Sequence, residues 1–306
     1  MIYDLIIIGA GPAGLTASIY ASRYKINHAV IGEIPGGLIS EAHNVCNFPG
    51  EIEINGFDLM TKIKDHAEKL GAEIMIMEKI IKIEEKDNIF ILTTESRKVL
   101  EAKNILLATG TKHRQLNLPE EKKYIGKGLA YCATCDAMFY KNKIVGVIGG
   151  GNSALTAALY LAEVAEKVYL IVRDNEFNGE MVWVDHVLNN NKIEVLFNNG
   201  VKKLNGEVKL ESIDLNAPYQ NSDNLQLNGL FVEIGTEPDK LLIEQLDLAL
   251  DKNYIIVDKE QKTNKSGVWA AGDITTNSAG FRQVITACSE GAIAVFSIFS
   301  HLQKNK

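Results

Sequence analysis

A glycine-rich segment occurs twice in this chain of 306 residues. Residues 5–21 have the sequence LIIIGAGPAGLTASIYA, and residues 145–161 have the matching sequence VGVIGGGNSALTAALYL. Each copy is an apolar, β-branched run followed by a glycine cluster and a stretch with helical periodicity, and another apolar run follows each copy. This order predicts a strand–helix–strand unit in which backbone amides at the glycine turn can approach a pyrophosphate.

The chain is about twice as long as a typical domain, so two domains are expected. Candidate joints lie at residues 110–121 and 235–238, where Gly, Thr and Pro stand among charged residues. We therefore predict an α/β protein with two Rossmann-like dinucleotide-binding domains of the three-layer ββα type, the second inserted into the first. The first domain comprises residues 1–112 and 241–306, and the second comprises residues 113–240.

The remaining hydrophobic patterns predict further elements of the first domain. They are a helix over 56–70, a β-meander within 71–101, strands at 104–108, 254–257 and 268–271, and a final helix from about 283 to 299.

Composition excludes several classes of protein. A formal net charge of −7 argues against a nucleic-acid partner, which requires a basic surface. Four cysteines are too few for a disulfide scaffold, and the start at Met1–Asp4 lacks a basic secretion signal. We therefore expect a cytoplasmic protein. The longest apolar run, around 291–302, is too short to span a bilayer, so no membrane span is expected.

The first glycine turn is expected to bind a dinucleotide. Its residues are Gly9, Gly11, Pro12, Ala13 and Gly14. Glu33 follows at the end of the next predicted strand, where a carboxylate can accept a hydrogen bond from a ribose 2′-hydroxyl. FAD or NAD suits such a site, whereas the alternative is a tight turn of purely structural role.

The second glycine turn has the opposite charge at the corresponding strand end. Its candidate residues are Gly149, Gly151, Asn152, Ser153 and Ala154. Arg173 occupies the position that Glu33 has in the first copy, and an arginine there suits a 2′-phosphate. NADP is therefore predicted, the alternative being a solvated arginine at the end of a strand.

Cys132 and Cys135 form a Cys-x-x-Cys pair shortly before the second glycine turn. Zinc requires four ligands and the chain offers no second pair, so a redox dithiol is the better interpretation. A helix opening near Cys135 is expected to lower a thiol pKa. Asp136 is either a first-turn acid favoured by the helix dipole or a proton carrier. Cys46 and Cys288 are expected to be structural.

A pyridine nucleotide and a dithiol require an intermediary, because a hydride carries two electrons and a disulfide accepts them through a nucleophilic adduct. A flavin supplies that chemistry, so the first dinucleotide is predicted to be FAD. Two strands that end in small residues support this, and so does the start of the last helix. The candidate residues there are Thr109, Gly110, Gly272, Asp273, Arg282, Gln283 and Val284. Arg282 is otherwise a surface cation.

The ordered motifs GAGPAG, GGLISEAHNVCNFPG, LLATG, YCATCD, GGGNSA and AAGD with RQV resemble the low-molecular-weight thioredoxin reductases over nearly the whole chain. The resemblance implies a homodimeric FAD enzyme that passes electrons from a pyridine nucleotide to a dithiol and then to thioredoxin. It implies that Cys135 faces the flavin, Cys132 attacks the partner disulfide and Asp136 handles protons. It also places Gly37, Leu38 and Asn47 at the flavin, although the family usually has Gln at the position of Leu38.

The resemblance is weakest at the second nucleotide site. The family's 2′-phosphate clamp is His-Arg-Arg-Asp with a further arginine, whereas this chain has Ile171-Val172-Arg173-Asp174 and then Asn178. Two missing arginines could remove roughly 3 to 6 kcal/mol of preference for NADPH. The donor is therefore NADPH or, alternatively, NADH, ferredoxin or a reduced deazaflavin.

Two other functions remain open from the sequence: a small-molecule dithiol oxidase and a non-catalytic flavin sensor. Ferredoxin–NADP reductases of this fold lack the Cys-x-x-Cys pair, so Cys132 and Cys135 disfavour that activity.

Overall fold

The computed structural model describes residues 2–304. The chain divides into two compact units. Unit 1 is built from both ends of the chain, Met1–Lys112 and Glu237–Lys306, and unit 2 is the continuous segment His113–Thr236. The predicted fold class, with one α/β domain inserted into another, is confirmed.

Strands and helices alternate around each glycine turn, and a run of successive strands follows in each unit. The N-terminal part of unit 1 contains β1 (Ile2–Tyr3), β2 (Leu5–Ile8), α1 (Pro12–Arg23), β3 (His28–Gly32), α2 (Gly56–Lys69), β4 (Glu73–Ile76), β5 (Ile80–Lys86), β6 (Ile89–Thr94), β7 (Val99–Ala102) and β8 (Ile105–Leu107), with β9 (Lys112–His113) at the boundary. Unit 2 contains α3 (Glu121–Tyr124), β10 (Leu129–Ala130), α4 (Ala133–Asp136), β11 (Ile144–Ile148), α5 (Asn152–Val164), β12 (Lys167–Ile171), α6 (Met181–Leu188), β13 (Ile193–Leu196), β14 (Val201–Asn205), β15 (Ser212–Tyr219), β16 (Ser222–Gln226) and β17 (Gly229–Val232). The chain continues through β18 (Thr236–Glu237), α7 (Leu241–Gln245), β19 (Leu250–Asp251), β20 (Tyr254–Ile255), β21 (Val268–Ala270) and α8 (Val284–Lys304). Short 3-10 helices cover Leu38–Glu41, Ala137–Tyr140 and Ser278–Gly280.

Unit 1 is organised around a parallel sheet with the strand order β21-β8-β2-β3-β4. The central strand β2 is buried along its whole length, as expected for a strand covered on both faces. A second sheet has the order β1-β7-β6-β5, in which β5, β6 and β7 pair antiparallel. These two sheets and the helices form the three layers.

The predicted meander over 71–101 is only partly correct. Strand β4 belongs to the parallel sheet, where Ile74 pairs with Val30, and the meander consists of β5, β6 and β7. The reason is topological, because a strand that follows a crossover helix such as α2 returns parallel to its predecessor.

Helix α8 packs closely on α1 within unit 1. A Cβ atom on Gly291 would lie 2.1 Å from the carbonyl oxygen of Ala13, so the two backbones meet with no room for a side chain. Within residues 2–304, α8 is also the one helix long and apolar enough to cross a membrane by length and composition. Its buried side chains, among them Val295 and Ile298, belong to the core around α1, which accounts for part of its apolar character.

Unit 2 repeats the organisation of unit 1. Its parallel sheet has the order β10-β17-β11-β12-β13, and an antiparallel sheet has the order β14-β15-β16. The registers agree as well: Ile8 pairs with Ile31 in unit 1, and Ile148 pairs with Ile171 in unit 2. The duplication seen in the sequence is thus a duplication of the fold.

Candidate functional site

The first glycine turn connects β2 to α1 at the carboxyl end of the parallel sheet. Gly9 has a φ of +120°, and a Cβ atom there would lie 2.1 Å from the carbonyl oxygen of Ala108. Only glycine fits such a position. Gly11 is the N-cap and supplies no side chain to the first amides of α1, which begins with Pro12. Those amides form the type of helix terminus that binds a pyrophosphate.

The other predicted residues of the N-terminal half surround this turn. A Cβ atom on Gly37 would lie 3.2 Å from the Cα atom of Gly11, and Leu38 begins a 3-10 helix directly afterwards. Thr109 follows β8, and its backbone nitrogen lies 2.9 Å from the Cβ position of Gly9. Glu33 follows the end of β3 and pairs with Lys79, with a distance of 3.0 Å between Nζ and Oε2.

The C-terminal half of unit 1 contributes a polar loop after β21. Burial raises the pKa of Asp273 to about 6, although the nearby Arg282 opposes this rise. The guanidinium of Arg282 lies 3.7 Å from the ring centre of Tyr254, and its Nε donates to the backbone oxygen of Asp273 at 3.3 Å. Arg282 is therefore half-buried and held by contacts within unit 1.

Two predicted residues far apart in the sequence are in direct contact. The side-chain amide of Asn47 donates to Oε1 of Gln283 at 3.0 Å, which joins the segment after the first 3-10 helix to the start of α8. The side chain of Val284 is buried against Val45 and Leu59, so it is only through its backbone that Val284 could contact a ligand.

The chemistry of this donor set fits FAD. The glycine turn offers backbone amides to a pyrophosphate, Glu33 offers a carboxylate to a ribose, and Asp273 offers a partly desolvated carboxyl to hydroxyl groups.

The dithiol lies in unit 2 as a formed disulfide. Cys132 and Cys135 are bonded, with their Cα atoms 5.4 Å apart. Helix α4 begins at Ala133, close to Cys135 as predicted; Cys132 is its N-cap, and the Sγ atom of Cys132 accepts a hydrogen bond from the backbone N–H of Cys135 at 3.1 Å. The amide that can stabilise a thiolate therefore points at Cys132. Among residues 2–304 no group of three or more metal-ligating side chains comes together.

Asp136 ends helix α4 directly after the dithiol. Burial raises the pKa of its carboxyl above the usual value. The pKa of Tyr140 is also raised, first by burial and then by the charge of Asp136. A carboxyl group that resists ionisation beside a pair of thiols is suited to hold and release a proton.

The second glycine turn has the same geometry as the first. Gly149 has a φ of +141°, and a Cβ atom there would lie 2.1 Å from the carbonyl oxygen of Glu233. Gly151 is the N-cap of α5, which begins at Asn152. Ser153 is exposed and Ala154 is buried, so Ala154 serves helix packing.

The loop after β12 folds across this turn. The backbone N–H of Asn178 donates to the carbonyl of Gly150 at 2.9 Å. Asn152 both accepts from the backbone N–H of Glu180 at 2.6 Å and donates to Glu180 Oε1 at 3.0 Å. Arg173 lies at the start of this loop, where its guanidinium contacts both carboxylate oxygens of Asp174 at 3.3 Å.

A comparison with protein-family models shows the family to which the chain belongs. The model of the pyridine nucleotide-disulphide oxidoreductases matches residues 3–291. The chain belongs to this family. The thioredoxin reductase of Mycoplasma genitalium is 37% identical over 302 residues, a match that covers 97% of this chain and 95% of that protein.

Solved structures of this oxidoreductase family agree with that relationship. The crystal structure of Lactococcus lactis thioredoxin reductase matches with a TM-score of 0.92 and 29% identity, covering 99% of each chain. The thioredoxin reductase of T. acidophilum matches with a TM-score of 0.91 and 31% identity, covering 98% of this chain and 99% of that one. The resemblance to low-molecular-weight thioredoxin reductases is therefore confirmed.

Within this pyridine nucleotide-disulphide oxidoreductase, sequence reasoning missed two supporting residues. Glu290 of α8 is buried and accepts hydrogen bonds from the Gly272 backbone N–H at 2.8 Å and from Thr275 Oγ1 at 2.9 Å. Lys79, which pairs with Glu33, was also missed. A buried face of α8 was predictable from periodicity, but a carboxylate on that face was not recognisable as a loop anchor.

Proposed function

We propose that this flavin-dependent disulfide oxidoreductase is a thioredoxin-disulfide reductase. In this proposal electrons pass from a pyridine nucleotide bound by unit 2, through FAD bound by unit 1, to the Cys132–Cys135 disulfide and then to thioredoxin or a thioredoxin-like protein. The observation that carries it is the formed Cys-x-x-Cys disulfide at the N-terminus of α4, in the same unit as the second glycine turn.

When bound, FAD would accept the two electrons of a hydride and pass them on to a disulfide. Unit 1 would bind its pyrophosphate through the amides beyond Gly11, and Gly9 and Gly14 let the backbones approach. Glu33 and Asp273 would accept hydrogen bonds from ribose and ribityl hydroxyls. The remainder of the FAD molecule would be surrounded by Thr109–Gly110, by Gly37–Leu38 and by the hydrogen-bonded pair Asn47 and Gln283.

The dithiol passes its electrons on by thiol–disulfide exchange. Two electrons and two protons convert the Cys132–Cys135 disulfide to two thiols. The thiolate of Cys132 then attacks one sulfur of the partner disulfide, forming a mixed disulfide and releasing the other partner sulfur as a thiolate. Cys135 attacks Cys132 Sγ, which restores the internal disulfide and releases the second partner thiol.

The chain's own residues assist these steps in two ways. The backbone N–H of Cys135 stabilises negative charge on Cys132 Sγ, which makes Cys132 the attacking thiolate. Asp136 remains protonated to higher pH than an ordinary aspartate, because burial disfavours its charge. It can therefore give a proton to a departing thiolate and take one from an attacking thiol.

The resemblance to thioredoxin reductases further supports a homodimer that works in the cytoplasm. We propose NADPH or NADH as the donor and do not expect a nucleic acid or a membrane as a partner.

The first test is anaerobic absorbance near 450 nm after mixing the purified holoenzyme with NADPH, NADH or, as a control for reducible flavin, dithionite. Bleaching by either nucleotide is expected. Bleaching by dithionite alone would overturn the pyridine-nucleotide step and favour another donor.

The second test measures thioredoxin thiols formed per donor oxidised. Cys132→Ser and Cys135→Ser should each abolish this transfer, whereas the matched control Cys46→Ser should retain it, because Cys46 is an exposed free thiol outside the dithiol. Oxygen consumption driven by a small dithiol, without thioredoxin reduction, would instead indicate a small-molecule dithiol oxidase.

A further inference from the structure

Two residues of opposite charge follow the end of β12 in unit 2, whereas one charged residue, Glu33, follows the end of β3 at the corresponding position in unit 1. By the repeat, Arg173 corresponds to Glu33, and the next residue is Asp174. In a dinucleotide-binding unit this strand end faces the adenosine ribose, where a carboxylate recognises a free 2′-hydroxyl and an arginine recognises a 2′-phosphate. The sequence alone therefore allows either nucleotide.

The structure shows how the two charges are arranged. The Nε and Nη2 atoms of Arg173 each lie 3.3 Å from one oxygen of Asp174, so the guanidinium fork faces the neighbouring carboxylate. The side chain of Arg173 is 88% exposed, so this ion pair lies in solvent at the surface of unit 2. A 2′-phosphate would have to share this arginine with a carboxylate of the same sign as itself.

The rest of the loop adds negative charge. Residues 173–180 contain one cation, Arg173, and the carboxylates Asp174, Glu176 and Glu180, all of them exposed. Glu180 is also held at the first residue of α5 by its two hydrogen bonds with Asn152. A dianionic phosphate beside three carboxylates is disfavoured, whereas an uncharged hydroxyl is not.

We propose that the loop after β12, in which the one arginine is paired with Asp174 and stands among three carboxylates, makes unit 2 selective for a pyridine nucleotide with a free 2′-hydroxyl, so that the donor is NADH and not NADPH. Asp174 accepts the ribose hydroxyl, and Arg173 orients Asp174 and cancels part of its charge. This inference rests on the proposed function, since it specifies the donor of that reaction.

The test is equilibrium binding of NAD⁺ and NADP⁺ to the oxidised holoenzyme by titration calorimetry at low and at high salt. We expect NAD⁺ to bind at least about tenfold more tightly than NADP⁺. The difference should shrink at high salt, because salt screens the repulsion between the 2′-phosphate and the exposed carboxylates.

Variants make the assignment specific. Asp174→Arg should weaken NAD⁺ binding and strengthen NADP⁺ binding by at least about tenfold each, so that the preference inverts. Asp174→Asn should narrow the preference without inverting it. The matched control is Asp223→Asn, an exposed aspartate on the antiparallel sheet of the same unit, which should change neither affinity.

The outcomes separate this inference from the proposed function. Equal affinities, or tighter binding of NADP⁺ by the unaltered protein, would overturn the selectivity and leave the reductase proposal standing. Binding of neither nucleotide, together with thioredoxin reduction after dithionite treatment, would overturn both the selectivity and the pyridine-nucleotide donor while retaining the dithiol chemistry.

Discussion

The partly buried carboxyl of Asp273 makes the stability of unit 1 depend on pH. The pKa of Asp273 in the folded protein is about 6, above its ordinary value of 3.8, chiefly because of burial. The folded state therefore binds a proton between about pH 4 and 6 that the unfolded state has released. The stabilisation is complete below about pH 4 and is lost as the pH rises through about 6.

This predicts that the flavin-free protein loses up to about 3 kcal/mol of unfolding free energy between about pH 4 and pH 7 from this group. Asp273→Asn should flatten that part of the profile, because the amide does not ionise. Denaturant unfolding at several pH values measures the free energy of unfolding of each variant. The exposed Asp251→Asn serves as the control, and an unchanged profile in Asp273→Asn would contradict the assignment.

In the proposed reaction, Asp136 handles the proton transfers at the dithiol. Its raised pKa keeps it protonated when ordinary aspartates have ionised. Asp136→Asn should lower thioredoxin-dependent turnover about 100-fold, the usual contribution of a general acid–base, and remove one ionisation from the pH–rate profile. Asp185→Asn, an exposed change on α6, should leave both unaltered. Equal loss in the two variants would indicate a merely structural effect.

At the scale of elements, the close contact between the glycine turn and the residues after β8 positions the first amides of α1 for the proposed binding of FAD. Gly9→Ala places a methyl group 2.1 Å from the Ala108 oxygen and strains a φ of +120°. Overpacking and strain together should weaken FAD binding about 100-fold. Released flavin fluorescence measures this loss.

Gly71→Ala is the matched control for that variant. Gly71 has a φ of +87° with nothing within 4 Å of its Cβ position, so the change introduces backbone strain without a collision. Its FAD affinity should stay normal. Similar flavin loss in both variants would show that general destabilisation, and not the glycine turn, releases the cofactor.

Helix α8 and the loop after β21 are joined through Glu290. Besides Gly272 and Thr275, its carboxylate accepts from Ser278 Oγ at 2.5 Å. Glu290→Ala leaves buried donors unpaired and should lower the unfolding free energy by roughly 3 kcal/mol. It should also release FAD at a lower temperature, because the loop carries Asp273. Thermal melts followed by flavin fluorescence test this against the exposed Ser289→Ala, and identical melts would refute the anchoring role.

At the scale of the whole molecule, the two units differ in whether one continuous segment of the chain forms them. Unit 2 is one continuous segment with its own buried clusters, which include Phe231 and Leu230 of β17. Unit 1 requires both chain ends. A fragment of residues 113–236 should therefore fold alone, with a cooperative unfolding free energy of about 5–10 kcal/mol.

The control for that fragment is residues 113–225, which lack β17. Because β17 lies between β10 and β11 in the parallel sheet, this shorter fragment should stay unfolded. Circular dichroism and denaturant melts distinguish the two. A non-cooperative melt of residues 113–236 would show that unit 2 depends on unit 1.

Local patterns determined most of the fold. The two glycine turns, the strands β2, β3, β11 and β12 and the Cys-x-x-Cys pair could be predicted because spacing between near neighbours specifies each one. The predicted meander failed at β4, because the partner of a short apolar strand depends on the path of the preceding helix. A helix near the dithiol was also predictable, but which of the two sulfurs receives the backbone amide was not: it is Cys132.

Long-range contacts were decided only in the tertiary structure. Three contacts do not follow from sequence spacing, because each joins residues that only folding brings together. They are the hydrogen bond between Asn47 and Gln283, the anchoring of the Asp273 loop by Glu290, and the ion pair of Glu33 with Lys79. The charges at Arg173 and Asp174 were visible in the sequence, yet their mutual orientation was not. The order of residue types sets which chemistry the chain carries, whereas folding sets which groups contact one another and are withdrawn from water. Burial and pairing set pKa values and ligand preference, and both depend on neighbours distant in the chain.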